Sequence, residues 1–345
     1  MMVFLLVGIT VLVLDRVFNV TRRNNLVFLS LVFSIIFIIH LTVSVDHVLV
    51  KSTGGSLRNL IVSFILLLVI ISYVFLLKKA KNIGKVKFEK ASTKNLFNPE
   101  ELNRYARHIV LKEIGGLGQK KLKNAKILVI GAGGLGSPVL QYLGAGGIGT
   151  IGVVDSDLVD NSNLQRQIIY TDKMIGDSKV FAASQAIRAQ NPYTKVLAYN
   201  YLFNEQNADD LISNFDLIID GTDNAQTRYL VNKTCVKLKK PLISGAISQW
   251  EGQVMVYTST LASPCYQCVF PNISNTELAA SCSETGVVGA LPGVIGSIMA
   301  VEAIKLISGA GELLDGRLMI YDALHAETRI IKLNQDINCP VCSIK

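Results

Sequence analysis

Lys126-Ile127-Leu128-Val129-Ile130-Gly131-Ala132-Gly133-Gly134-Leu135-Gly136 is the stretch on which the fold turns. Ile127 to Ile130 is a short, uninterrupted apolar run that stops at glycine. A run of that length, apolar on both alternating faces, reads as a buried parallel strand. The glycines that follow have the G-x-G-x-x-G spacing, and a helical pattern begins at Ser137 and runs to Gly144. Glycine permits the tight turn and lets the backbone approach a phosphate, while the helix start offers unpaired N–H groups and a partial positive charge. A second strand, Gly149 to Asp155, ends on a carboxylate about 20 residues further on, where an acid can accept hydrogen bonds from ribose hydroxyls.

The alternation continues outward. Lys179 to Ala189 reads as a helix, Lys195 to Tyr199 as a strand, Asp216 to Asp220 as a fourth strand and Pro241 to Gly245 as a fifth. Strands alternating with helices predict an α/β, Rossmann-like, doubly wound, mostly parallel sheet. Gly252 to Tyr257 and Leu318 to Tyr321 are expected to add antiparallel strands. Tyr229 to Leu238 is a helical pattern that would bury Cys235. The apolar helix from Leu291 through Ile307 is expected in the core, because Glu302 and Lys305 interrupt it.

A glycine loop with a ribose acid suits a dinucleotide such as NAD as well as a mononucleotide. Ser162-Asn163-Leu164-Gln165-Arg166-Gln167 and then Lys179 favour ATP, because an arginine and a lysine near a phosphate loop suit a triphosphate better than a nicotinamide ring. Asp220-Gly221-Thr222-Asp223-Asn224 places carboxylates at the carboxyl edge of the sheet, where open α/β folds bind ligands and where an acid can hold Mg2+. An NAD-dependent oxidoreductase remains the alternative on these residues.

Four of the six cysteines form two C-x-x-C pairs, Cys265 with Cys268 and Cys339 with Cys342. Two such pairs are the usual means of building a closed tetrahedral Zn2+ site. Pro264 and Pro340 are read as shaping loop knuckles, not helix starts. Cys282 stands in a small, polar stretch, Ala280 to Gly286, and is either a reactive thiol or a surface cysteine without a role.

Residues 1–90 carry 11 Lys/Arg against 3 Asp/Glu, a net charge of +8 that equals that of the whole chain. The remainder is neutral, so no global charge suggests nucleic-acid binding. Leu26 to Val45 and Leu60 to Leu77 are apolar runs of transmembrane length, and Val3 to Leu14 is a shorter one. Lysines cluster directly after the last run, from Lys78 to Lys90. By the positive-inside rule two or three transmembrane helices (residues 1–77) and a basic linker (78–97) would tether a cytoplasmic domain (98–345) to the cell membrane.

Arg104-Tyr105-Ala106-Arg107-His108, Gly115-Gly116-Leu117-Gly118-Gln119, GAGGLGS, NLQRQ, DGTDN, SGA, PCYQC, LPGVIGS and CPVC occur in this order. From about Asn98 to the C-terminus the chain thereby resembles the ThiF/MoeB/HesA adenylyltransferases, whose fold is similar to the adenylation domain of ubiquitin-activating enzymes. The resemblance implies ATP-dependent adenylation of the C-terminal glycine carboxylate of a ubiquitin-like sulfur-carrier protein ending in Gly-Gly, in a molybdopterin or thiamine type of sulfur transfer. It implies that Gly131, Gly133, Gly134 and Gly136 form the nucleotide loop and that Asp155 holds the ribose. Asn163, Arg166 and Lys179 would contact phosphates. Asp223 would coordinate magnesium and support catalysis beside Asn224. Arg107 would reach the nucleotide of the other subunit in a homodimer, and a cysteine at the position of Cys282 would bond to the carrier. Because the sequence stops shortly after Cys342, sulfur is expected from a separate donor. A tRNA threonylcarbamoyladenosine dehydratase-like enzyme, which also adenylates a carboxylate, is the rival within the fold.

Overall fold

The computed structural model describes residues 42, 44, 46, 47, 96–260, 263–271 and 286–343. Except for Thr42 and Ser44, the apolar runs read as membrane spans lie outside the described residues. So do residues 78–95 of the linker, and Cys282. The chain divides into two units at Asn95/Leu96, and the second, Leu96–Lys345, carries the architecture that follows.

Three short helices open it, α1 (Pro99–Arg104), α2 (Ala106–Ile109) and α3 (Gly115–Asn124). The sequence reading left this stretch unassigned. Asn98 and Glu101 begin α1 with a reciprocal capping box, and the buried Glu101 carboxylate also pairs with Lys123. Then come β1 (Lys126–Ile130), α4 (Gly136–Ala145), β2 (Thr150–Val154), α5 (Lys179–Gln190), β3 (Lys195–Tyr199), α6 (Ala208–Ser213), β4 (Leu217–Asp220) and α7 (Ala225–Lys237). The chain continues through β5 (Leu242–Ile247), β6 (Glu251–Tyr257), α8 (Tyr266–Val269), α9 (Leu291–Ser308), β7 (Arg317–Asp322) and β8 (Glu327–Lys332).

One sheet of eight strands runs in the order β3-β2-β1-β4-β5-β6-β7-β8. β1 to β5 are parallel, and β6, β7 and β8 extend the sheet antiparallel. The order reverses beside β1, which makes the gap between β1 and β4 the switch point at which such sheets bind ligands. The sequence reading missed β8, for a physical reason. Its six residues are all exposed, so it lacks the alternation of a strand with one buried face.

Both faces of β1 are covered, which explains its unbroken apolar run. Ile127 and Val129 join a layer with Leu140 and Leu143 of α4, Ile187 of α5 and Ile295 and Met299 of α9. Leu128 and Ile130 face the other way, into a layer with Phe215, Val231, Cys235, Cys265 and Cys339. Among the described residues, α9 alone has the length and composition to cross a membrane. Here it packs on α4, β5 and β6, with Glu302 buried and paired to Lys305, as the core reading expected.

Candidate functional site

β1 is matched residue for residue with β2 and β4, so Ile130 lies opposite both Val154 and Asp220. The next residues, Gly131, Asp155 and Gly221, therefore emerge together at the carboxyl edge. They border a cavity of about 430 Å³, within the size range of ligand pockets.

Gly131 has φ +88°, the left-handed region that turns the chain sharply off β1. Gly136 opens α4, where a Cβ would lie 2.0 Å from the Gly131 carbonyl oxygen. It closes the turn from within and does not line the cavity, whereas Gly131, Gly133 and Gly134 do. Asp155 stands at the lip, and its Oδ2 accepts the Ala132 N–H at 2.8 Å while its Oδ1 accepts the Asp157 N–H at 2.8 Å. The carboxylate read as a ribose acceptor also ties β2 to the glycine loop.

The segment from Asn163 to Tyr170 is laced to that loop. Tyr170 donates its hydroxyl to the Ala132 carbonyl at 2.7 Å, and the Ser137 hydroxyl accepts the Ile169 N–H at 2.9 Å. Burial, reinforced by Asp155 and Asp157, pushes the Tyr170 hydroxyl pKa far up, so it stays a donor. Asn163, Arg166 and Lys179 reach the cavity from this side. Arg166 rests on the Ser162 carbonyl at 2.9 Å, and the buried Lys179 ammonium on the exposed Asp157 carboxylate at 2.7 Å. An ion pair with one partner in water contributes little to stability, so the ammonium is free to change partner.

On the β4 side, Asp223 is an exposed carboxylate on the cavity wall, with no hydrogen bond or ion pair among the described residues. A carboxylate so disposed fits a cation ligand. Asn224 also borders the cavity, but its side chain accepts the Thr227 N–H at 3.1 Å and caps α7.

Arg228 went unnoticed in the sequence. It is buried one turn into α7, 3.9 Å from the buried Asp220 carboxylate. It donates to the Gly245 carbonyl at 2.7 Å and to the Thr222 carbonyl. Thr222 and Ser244 also donate to Asp220. This network clamps the loop that carries Asp223 to β5. A lone arginine on a helix gives no sequence signal, since its partners come from two other strands.

Arg107 is exposed on α2 and does not line the cavity of its own chain. Cys282, as noted above, lies outside the described residues.

The four paired cysteines converge. Their sulfur atoms all lie within 4.8 Å of one another. Cys265 and Cys268 are 3.9 Å apart, Cys265 and Cys339 3.7 Å, and Cys268 and Cys342 3.3 Å. Tetrahedral thiolate coordination at about 2.3 Å requires sulfur separations near 3.8 Å, so the set fits such a metal site. Burial pushes the Cys265 thiol up and Cys268 up to about 11. Metal capture would therefore release protons. One expectation needs correcting, since the first knuckle is a helix start. Cys265 precedes the single turn of α8, whose Tyr266 N–H donates to the Asn232 side chain at 2.9 Å. Tyr266 and Phe270 then form part of the cavity wall.

A glycine-loop nucleotide cavity at the switch point of a parallel sheet, walled on one side by a thiolate knuckle, defines a nucleotide-binding α/β protein. Residues 105–341 match the model of the ThiF family, and the chain belongs to that family. It is 46% identical over 247 residues to the sulfur carrier protein adenylyltransferase of Thermus thermophilus, covering 70% of this chain and 91% of that protein. It is 46% identical to the probable adenylyltransferase/sulfurtransferase MoeZ of Mycobacterium tuberculosis, over 70% of this chain and 62% of the relative. It is 44% identical to the adenylyltransferase and sulfurtransferase MOCS3 of Arabidopsis thaliana, over 71% of this chain and about half (53%) of that longer relative. Among solved structures, E. coli MccB superposes with a TM-score of 0.62 at 23% identity, over 72% of this chain and 76% of that one. At that identity the likeness is one of fold.

Replacing Arg228 with methionine keeps the volume and removes the cation, which leaves Asp220 buried without its counter-charge. Arg228→Met is expected to lower stability in denaturant unfolding by about 3–5 kcal/mol. A loss under about 1 kcal/mol would mean that the hydroxyl and amide donors sustain Asp220 alone.

Proposed function

We propose that this chain adenylates the C-terminal glycine carboxylate of a ubiquitin-like sulfur-carrier protein with ATP. The observation that carries the reading is the convergence of the glycine loop, Asp155, Arg166, Lys179 and Asp223 on one cavity. The kinship with sulfur-carrier adenylyltransferases favours it over dehydration of a modified tRNA base or hydride transfer to NAD.

In this reading Gly131, Gly133 and Gly134 of the glycine loop receive the phosphates, and Asp155 orients the ribose. A carrier carboxylate oxygen attacks the α-phosphorus, and the bond from that phosphorus to the α–β bridging oxygen breaks. The electron pair leaves with pyrophosphate, and the product is a mixed acyl-phosphate anhydride. Arg166 and Lys179 stabilise the charge that builds on the phosphoryl oxygens, and Lys179 gives up Asp157 to do so. Asp223 would hold magnesium, which would supply further neutralisation of the triphosphate. Most of the acceleration then comes from positioning. Arg107, exposed and outside its own cavity, serves the cavity of a second copy in a homodimer.

The test is ATP–pyrophosphate exchange by the full-length chain with candidate carriers ending in Gly-Gly. Exchange is expected only with the cognate carrier. It should fall at least a hundredfold in Asp223→Ala, roughly the loss seen when one transition-state contact is removed. Mixing Arg107→Ala with Asp223→Ala chains should restore part of it. No exchange with any carrier, despite bound ATP, would sink the adenylation reading. Mixtures as inactive as their components would sink the shared site.

We assign zinc to the four-cysteine cluster, on the chemistry of its donors. Metal analysis of the purified chain is expected to return one zinc per chain, lost in Cys268→Ser. Equal zinc in wild type and variant would contradict the assignment.

The membrane tether is proposed on the apolar runs and their flanking lysines. The chain is expected to resist extraction from membranes by alkaline carbonate. Its full release into the soluble fraction would count against the tether.

A further inference from the structure

Residues 91–345 carry no net charge, yet the fold sorts their charges to opposite edges of the parallel sheet. At the carboxyl edge Asp155, Asp157 and Asp223 border the cavity. The amino edge is basic. Lys126 opens β1 level with Thr150 of β2, and Thr150 is level with Lys195, which opens β3. Two strand spacings put Lys126 and Lys195 about 10 Å apart. On the other side of β1, the Asp216 N–H donates to the Lys126 carbonyl at 2.8 Å, and Lys240 donates its ammonium to the neighbouring Phe215 carbonyl at 2.6 Å.

α3, α5 and α7 end at this same edge, with Lys121, Arg188 and Lys237 in their last turns. Cations there complement helix dipoles. Lys126 and Lys195 are different, because they start strands and both are exposed. So is Lys239, in the turn before β5. Acids intrude singly. Asp216 accepts the Lys126 N–H at 2.9 Å, and Asp209 pairs with Lys237. Like charges fixed on rigid strand starts repel one another, and a surface of opposite sign relieves that repulsion.

The chain enters the domain at this edge. The Phe97 ring packs edge-on against Tyr105, with centroids 6.1 Å apart. The Tyr105 hydroxyl accepts the Asn191 amide at 2.9 Å, and Asn191 directly follows the last residue of α5. Before this entry point in sequence come the lysines from Lys78 to Lys90 and the apolar runs. We infer that the amino edge of the sheet, with Lys126 and Lys195 at its centre, is a docking surface for an anionic bilayer. The cavity, at the opposite edge, is left open to water and to a protein substrate. This inference rests on the membrane tether proposed above.

The test reconstitutes the full-length chain into vesicles of phosphatidylcholine alone and of phosphatidylcholine mixed with phosphatidylglycerol. Lysines are acylated with a membrane-impermeant reagent, and each site is read by mass spectrometry. In the anionic vesicles acylation of Lys126, Lys195 and Lys239 is expected to fall about fivefold. Lys173, exposed in the segment that leaves the carboxyl end of β2, should label equally in both. Salt at about 1 M should restore the labelling, because it shortens the Debye length to roughly 3 Å. The double variant Lys126→Glu with Lys195→Glu should stay in the vesicles and label equally at Lys239 in both. If that variant does not fold, the wild-type comparison still decides the matter. Equal acylation of Lys126 and Lys195 in both vesicles would overturn the docking surface and leave the tether standing. Protection of these lysines by transfer RNA, with none from anionic lipid, would reassign the edge to nucleic acid. A chain that floats with neither kind of vesicle would overturn the tether itself.

Discussion

The strict pairing of β1 with β2 on one side and β4 on the other is the constraint from which the site follows. Because Ile130 stands opposite Val154 and Asp220, three loops far apart in sequence leave the sheet at one level. The glycine turn, the Asp155 lip and the Asp223 loop meet for that reason. A shift of one residue would turn every side chain of β1 to the other face and separate these loops. The pairing is protected by burial on both faces, with Ile127 and Val129 in one layer and Leu128 and Ile130 in the other. Short polar ties then hold the loops against each other, chiefly Asp155 to Ala132 and Arg228 to Thr222 and Gly245.

The cysteine cluster takes part in this same construction. Cys265 and Cys339 are wholly buried in the layer that covers Leu128 and Ile130. Tyr266 lies between Cys265 and Cys268 in sequence and packs edge-on against Tyr229 of α7, with ring centroids 5.4 Å apart. The Asn232 side chain meets both the Cys265 sulfur and the Tyr266 N–H. A metal at the cluster would thus brace the same helix, α7, that carries Arg228, and would hold the aromatic part of the cavity wall in place. Staple and active cavity are neighbouring parts of one packed unit.

How much of this was legible depended on whether a signal was local. β1, β2, β4 and β5 announced themselves because burial on both faces demands unbroken apolar runs, and the glycine loop because its turn demands glycine. The two C-x-x-C pairs predicted a cluster that the fold does assemble. What stayed hidden depends on tertiary partners. Arg228 looks like any helical arginine until Asp220, Thr222 and Gly245 come around it. Asn224 borders the cavity as expected, yet its amide is spent on a helix cap. Gly136 belongs to the motif but serves the turn alone. β8 is exposed on both faces and offers no pattern.

The central claim is that a carrier carboxylate attacks the α-phosphorus of ATP in this cavity. It is tested most directly by labelling both oxygens of the carrier's C-terminal carboxylate with oxygen-18. The full-length chain is then incubated with labelled carrier and ATP, the anhydride is cleaved with a thiol, and the AMP is weighed by mass spectrometry. Attack by the carboxylate leaves one labelled oxygen bridging carbon and phosphorus, and thiol attack at carbon releases it on AMP. The account predicts AMP carrying one oxygen-18 atom. Unlabelled AMP, or none formed in the presence of carrier, would contradict it.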